Sequence, residues 1–192
     1  AHRGPAWLLL GLFFCFFGFA AVEAQFSVLA TETLGFTGGE AGRLLGAASA
    51  AFVLLALPAG LAGRRFGELR TMRGGALLLA AALVVATAAP APLLAACMAL
   101  AGVGWALVLV PAYPLVADQG GRDRVGFYTG LYYLFGSGAA IVAPATAGAL
   151  MDALGNLALF GVAAAALVVG AAVLTLARRH GVEAARHAAG GA

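Results

Sequence analysis

"GLAGRRFG", Gly60 to Gly67, is answered 88 residues later by "GALMDALG", Gly148 to Gly155. Each runs Gly, three residues, a charge, two residues, Gly, and each has a proline just upstream, Pro58 or Pro144. Glycine and proline punctuate helices, so two such marks at a fixed distance are read as the same turn used twice. A bland reading stands beside this one, since Gly-rich helix ends coincide easily in a chain rich in alanine and glycine. If the mark is a repeat, it divides the chain into two units of equal size.

The units are built from membrane spans. The chain is 63% hydrophobic and 10% charged, with mean hydropathy +0.99, whereas a soluble domain carries about 25% charge. Charged residues leave uncharged runs at 4–22, 44–63, 74–117, 125–151 and 153–177. A helix needs about 20 residues to cross the hydrocarbon core. The run 74–117 must therefore hold two helices, with "TAAPAP" (Thr87–Pro92) as the turn. Six spans are predicted, at about 6–29, 42–63, 73–89, 92–117, 124–150 and 155–178, followed by a tail, 179–192. They make a single bundle over 1–192.

Short connections make neighbouring helices antiparallel, so units of three spans lie in opposite orientations. Inverted repeats of this kind mark secondary transporters. The cations are all arginine. Arg3, the segment after span 2 (Arg64, Arg65, Arg70, Arg73), the segment after span 4 (Arg122, Arg124) and the tail (Arg178, Arg179, Arg186) fall on one side, and Arg43 alone on the other. The positive-inside rule then puts both termini in the cytoplasm and the protein in the plasma (inner) membrane. A rival reading makes "AHRGPAWLLLGLFFCFFGFAAVEAQ" a signal peptide, whose removal would leave five spans, but its apolar run is long for one. The chain lacks an initiator Met and is expected to be a piece of something longer.

Several chemistries are disfavoured. The net charge of +3 is small and scattered, so nucleic acid is not an expected partner. His2, His180 and His187 lie near the termini, which leaves no imidazole in a span for a Ser/His site or a multi-His metal centre. Serines beside glycines in "LGAAS" (Leu45–Ser49) and "FGSG" (Phe135–Gly138) have neither histidine nor lysine as a base, so no intramembrane enzyme is expected. No cofactor is expected. Cys15 and Cys97 sit inside apolar runs and imply no disulfide framework.

Glu23 is the only charge well inside a span. A carboxylate there is costly and should face a wet cavity or a partner group. Burial disfavours the charged form of a carboxylate, which suits a group that loads and releases a proton. Its bland reading is an acid reaching the outer interface. Gln25 is a second candidate for the cavity. Span 4 holds Trp105 and Tyr113, and Pro111 and Pro114 should bend it. In "RVGFYTGLYYLFGSGAAIVAPATAG" (Arg124–Gly148), Gly126, Thr129, Gly130, Tyr133, Gly136, Ser137, Ala140 and Pro144 share one helical face. Small faces let helices approach closely, so the stripe is either a static seam or one side of a mobile interface. Tyr133 stands out on that face, and Tyr128 and Tyr132 lie at its edge, where they would anchor to the membrane interface.

"PAGLAGRRFGELRTMRGG" (Pro58–Gly75) resembles the cytoplasmic loop signature of the major facilitator superfamily, with Gly60, Arg65, Gly67 and Arg70 matching. Arg64 replaces the usual Asp, and Glu68 the usual base. The resemblance covers about residues 6–178 and implies an all-α membrane protein of six transmembrane helices in two inverted three-helix repeats. The resemblance implies that these six are the C-terminal half of a twelve-helix transporter. "GVGWALVLVPAYPLVAD" (Gly102–Asp118) and "GFYTGLYY" are similar to a bacterial branch related to sugar–proton symporters. In that branch span 1 has an Asn shortly before a Glu; Glu23 matches the acid and Ala20 replaces the amide. Leu109 and Pro111 stand where the branch often has polar residues, which makes a cavity less suited to a sugar. The resemblance implies alternating-access transport of a small molecule, ion-coupled, with a further six-helix half as partner. It implies a cytoplasmic gate built from Gly60, Arg64, Arg65, Gly67 and Arg70 with Asp118 as a partner. A non-transporting six-helix scaffold or receptor is the alternative.

Overall fold

A computed structural model describes residues 3–180 and Val182, with the side chain of Arg122 outside the described residues, as is the rest of the tail with Arg186. Six helices follow one another: α1 Gly4–Glu32, α2 Gly38–Phe66, α3 Glu68–Ala86, α4 Ala91–Ala117, α5 Gly121–Leu154 and α6 Ala158–Arg179. A single 3-10 turn, Asp118–Gly120, joins α4 to α5. All six are long and apolar enough to cross a membrane. Pro5 and Pro92 sit in first turns, where a missing N–H costs nothing. Thr37 opens α2 with a capping box: its hydroxyl accepts from the Glu40 N–H, and the Glu40 carboxylate accepts from the Thr37 N–H at 2.8 Å.

The repeat is visible in the backbone. Gly67 has φ 93° and ψ 137° between α2 and α3, and Gly155 has φ 92° and ψ 156° between α5 and α6. Each caps its helix alike, Gly67 N–H to Gly63 O at 3.0 Å and Gly155 N–H to Met151 O at 2.8 Å. Exchanging α1–α3 with α4–α6 also exchanges the packing. The extensive α1–α6 contact becomes α4–α3, and α2–α4 becomes α5–α1. Side chains other than glycine avoid this backbone region, at a cost of about 1–3 kcal/mol. Gly67→Ala and Gly155→Ala are therefore expected to lower thermal stability in detergent by similar amounts. Melting curves of the two variants check this, and a large asymmetry would contradict their equivalence.

Glycines set the helix spacing. A Cβ on Gly75 would lie 2.6 Å from the Gly104 carbonyl oxygen, and one on Gly104 2.8 Å from that of Gly75, so α3 and α4 touch backbone to backbone. Gly18 faces the Ala163 carbonyl and Gly170 that of Gly11 across the α1–α6 seam. Where lipid tails compete equally for apolar side chains, such close approach carries much of the packing energy. Two helices bury less of their surface than the others, although α2 packs on α4 and α5 on α1. The most apolar stretch of α2 is 6% buried and that of α5 22%, against 44% to 56% for the others.

The expected spans and the helices differ most around the arginines. Span 3 was expected from residue 73, whereas α3 starts at Glu68, and the gate loop shrinks to Gly67 alone. Gly60, Arg64 and Arg65 belong to α2, and Arg70 to α3. One glycine at positive φ reverses the chain without a loop, and arginine stems lie along apolar helix ends while their heads reach water.

Candidate functional site

A cavity of about 300 Å³ opens among α1, α2, α3 and α4. Its walls are mostly apolar, with Leu45, Phe52, Leu79 and Met98 among them. Two side chains bring polarity, the Glu23 carboxylate from α1 and the Ser49 hydroxyl from α2. Ser49 already donates to Leu45 O at 3.2 Å. Glu23 is exposed, and among the described residues no donor or cation pairs with it. Phe19 and Trp105 close one wall as a parallel stack, with ring centroids 4.1 Å apart and planes 3° apart.

That stack starts an aromatic chain through the bundle. Trp105 meets Phe16 edge-on at 5.5 Å, and Phe16 meets Tyr132 at 5.6 Å. Tyr132 then contacts both Tyr113 and Tyr133, each at 5.5 Å. Three residues singled out from sequence, Trp105, Tyr113 and Tyr133, are thus joined through Phe16 and Tyr132, the latter read as an edge anchor. Tyr132 is 8% exposed and Tyr133 61%. The packed face of α5 runs through Tyr132, Ala139, Ala143 and Ala147, about a residue round from the stripe of small residues. Gly126, Gly130, Tyr133, Ser137 and Ala140 of that stripe point outward from this bundle. Spacing four residues apart marks this packed face, but alanine gives it no contrast with the glycines and hydroxyls beside it.

Glu23 and Trp105 share the cavity, while Gln25, Tyr113 and Tyr133 are outside its wall. Gln25 donates from Nε2 to the Pro144 carbonyl at 3.0 Å, and Gly148 makes room for the amide. It ties α1 to α5 at the proline of the second repeat. Interhelical hydrogen bonds in membranes average about 0.6 kcal/mol, so Gln25→Leu is expected to destabilise the bundle by about that much, read as a small shift in a detergent melting curve. Tyr113 is exposed, and its hydroxyl lies 3.5 Å from that of Thr129.

At the arginine-rich end, Arg64, Arg65 and Arg70 are exposed, and the Arg65 guanidinium lies 5.5 Å from the centroid of the Phe66 ring. Gly60 and Gly63 of α2 face Val110 and Pro111 of α4, with room for a Cβ only at 3.4 Å and 3.1 Å. Asp118 stands at the end of α4. At the opposite end, the Asn156 amide donates to Thr33 Oγ1 at 2.9 Å and to Glu32 Oε2 at 3.4 Å, which clasps the α5–α6 turn to the end of α1. No group of His, Cys, Asp and Glu among the described residues could hold a metal ion.

The sequence matches the profile of the Major Facilitator Superfamily over residues 8–191. The chain belongs to that superfamily. No curated protein matches it. Two solved structures of the peptide transporter POT, in a mutant form, share its fold. One is in complex with alafosfalin and the other with sulfate; each has TM-score 0.79, 23% identity, and coverage of 95% of this chain and 39% of theirs. The chain thus spans about two fifths of the length of those transporters. Its six helices are one half of a major facilitator fold, arranged as two inverted three-helix repeats.

Proposed function

We propose that this chain supplies one half of a secondary active transporter that moves a small solute by alternating access, driven by a proton carried on Glu23. The observation that carries the reading is the cavity itself. It is an apolar space entered by a single unpaired carboxylate, within a superfamily half. A carboxylate that must lose water as the cavity closes needs its charge neutralised, so loading and closure favour each other. The exposed faces of α2 and α5 are where a second six-helix half packs, on the same chain or another subunit. The small and tyrosine-bearing outward stripe of α5 would then slide against it, and Tyr133 would be one of its contacts.

The arginine-rich end is placed in the cytoplasm and the bundle in the plasma membrane, with both termini inside. There Arg64, Arg65 and Arg70, held close to α4 by Gly60 and Gly63, would latch the inward side shut with Asp118 among their partners. No covalent chemistry is needed.

A cysteine at Ala48, on the α2 wall, tests alternating access in the complete transporter. It is expected to react with a membrane-impermeant thiol reagent from either side of sealed vesicles, each side depending on the imposed gradient. Reaction from one side only under all gradients would favour the scaffold or receptor reading.

A further inference from the structure

From the chemistry of the cavity wall we infer that the solute is a lipophilic organic cation, held with Glu23 as its counter-charge and the Phe19–Trp105 pair as its aromatic wall. This rests on the reading of the cavity as the transport site. Among the described residues of this half, no arginine, lysine or histidine lines the space. On this half an anionic solute would meet a like-charged carboxylate and no counter-charge, which repels it. A sugar would find only the Glu23 carboxylate, the Trp105 N–H and a Ser49 hydroxyl already donating to its own backbone, so most of its hydroxyls would lose water without replacement. A cation gains twice. It neutralises Glu23, and the Phe19–Trp105 stack gives its apolar groups a flat wall.

The approach is suited to the same charge. The end of the bundle nearest Glu23 carries Glu32, Glu40 and Asp152 against Arg43, which already pairs with Glu40 at 3.9 Å. Net negative charge at that end raises the local concentration of cations. Proton and solute then want the same carboxylate. When one binds, the other must leave, so the site exchanges them, moving the cation one way and the proton the other. The volume of about 300 Å³ is at the small end of ligand pockets, and apolar bulk rather than further hydrogen bonds would fill it.

The test is equilibrium dialysis on the purified full-length transporter in detergent, with empty micelles subtracted. The probes are tetraphenylphosphonium and tetraphenylborate, two ions of one shape and opposite charge. Saturable binding of the phosphonium at least about tenfold tighter than of the borate is expected. Glu23→Gln should lose about tenfold or more of the phosphonium affinity, and Glu23→Asp should recover part of it. Equal binding of the two ions by the unmodified protein, or phosphonium binding unchanged in Glu23→Gln, would overturn the proposal. The ion comparison needs no variant, so a misfolded variant cannot mask the answer. Because dialysis needs no gradient, the two readings fail separately. Phosphonium binding without uptake in vesicles would count against transport, and uptake of another solute without phosphonium binding would count against the cation.

Discussion

Glu23→Gln is expected to abolish concentrative uptake in proteoliposomes of the complete transporter, so that solute reaches only its equilibrium distribution. Glutamine keeps the size and hydrogen-bonding reach of the side chain but cannot take or release a proton. A carrier whose conformational cycle is gated by neutralising one carboxylate would then cycle with that gate permanently satisfied, and a proton gradient would have nothing to act on. The measurement is accumulation of labelled solute against an imposed pH gradient, together with proton flux. The variant should fold, since Glu23 makes no bond to a described residue and lines an open space. Accumulation equal to that of the unmodified protein would remove Glu23 from coupling. The prediction is severe because, among the described residues of this half, no other carboxylate lines the wall to take its place.

Much of this arrangement could be read from the chain alone, for physical reasons that also explain what could not. The spans follow from the cost of a charge in hydrocarbon, so uncharged runs mark them directly. The repeat could be read because Gly67 and Gly155 each adopt a backbone that other residues avoid, which leaves glycine at matched positions. Glu23 stood out for the same reason as the spans. The faces of the helices were harder. α1 and α4 are apolar all round, so no periodicity marks which side packs, and the stack of Phe19 on Trp105 has no local signal. Gln25 finds its partner 119 residues away. Tyr132, read as an anchor at the edge of the small stripe, is buried instead on a face packed by the alanines beside that stripe, whereas Gly126 and Gly130 of the stripe are exposed. The arginine segment was expected to be a loop because charge was equated with coil, and a one-residue glycine turn lets both flanking helices keep their arginines.

Gly102→Val is expected to prevent folding of the bundle altogether. At this position α4 crosses α2 so closely that a Cβ would overlap the Ala48 carbonyl oxygen and lie 2.7 Å from its carbon and 2.9 Å from its Cα. All three are backbone atoms within a helix, so no rotamer change relieves the clash, and α2 as a whole must move. Overpacking a core usually costs about 1–3 kcal/mol, and more where nothing can yield. Here the displaced contact is also the one that holds α2, which buries little of its surface elsewhere and forms a wall of the cavity. Gly161→Ala gives the contrast, since no atom lies within 4 Å of the added Cβ in α6. Alanine in a helix interior is favoured over glycine by about 1 kcal/mol, so this variant should be at least as stable as the parent. Size-exclusion profiles and melting curves in detergent decide it. A monodisperse Gly102→Val protein with an unchanged melting point would mean that α2 and α4 do not meet backbone to backbone, and the cavity between them would have to be redrawn.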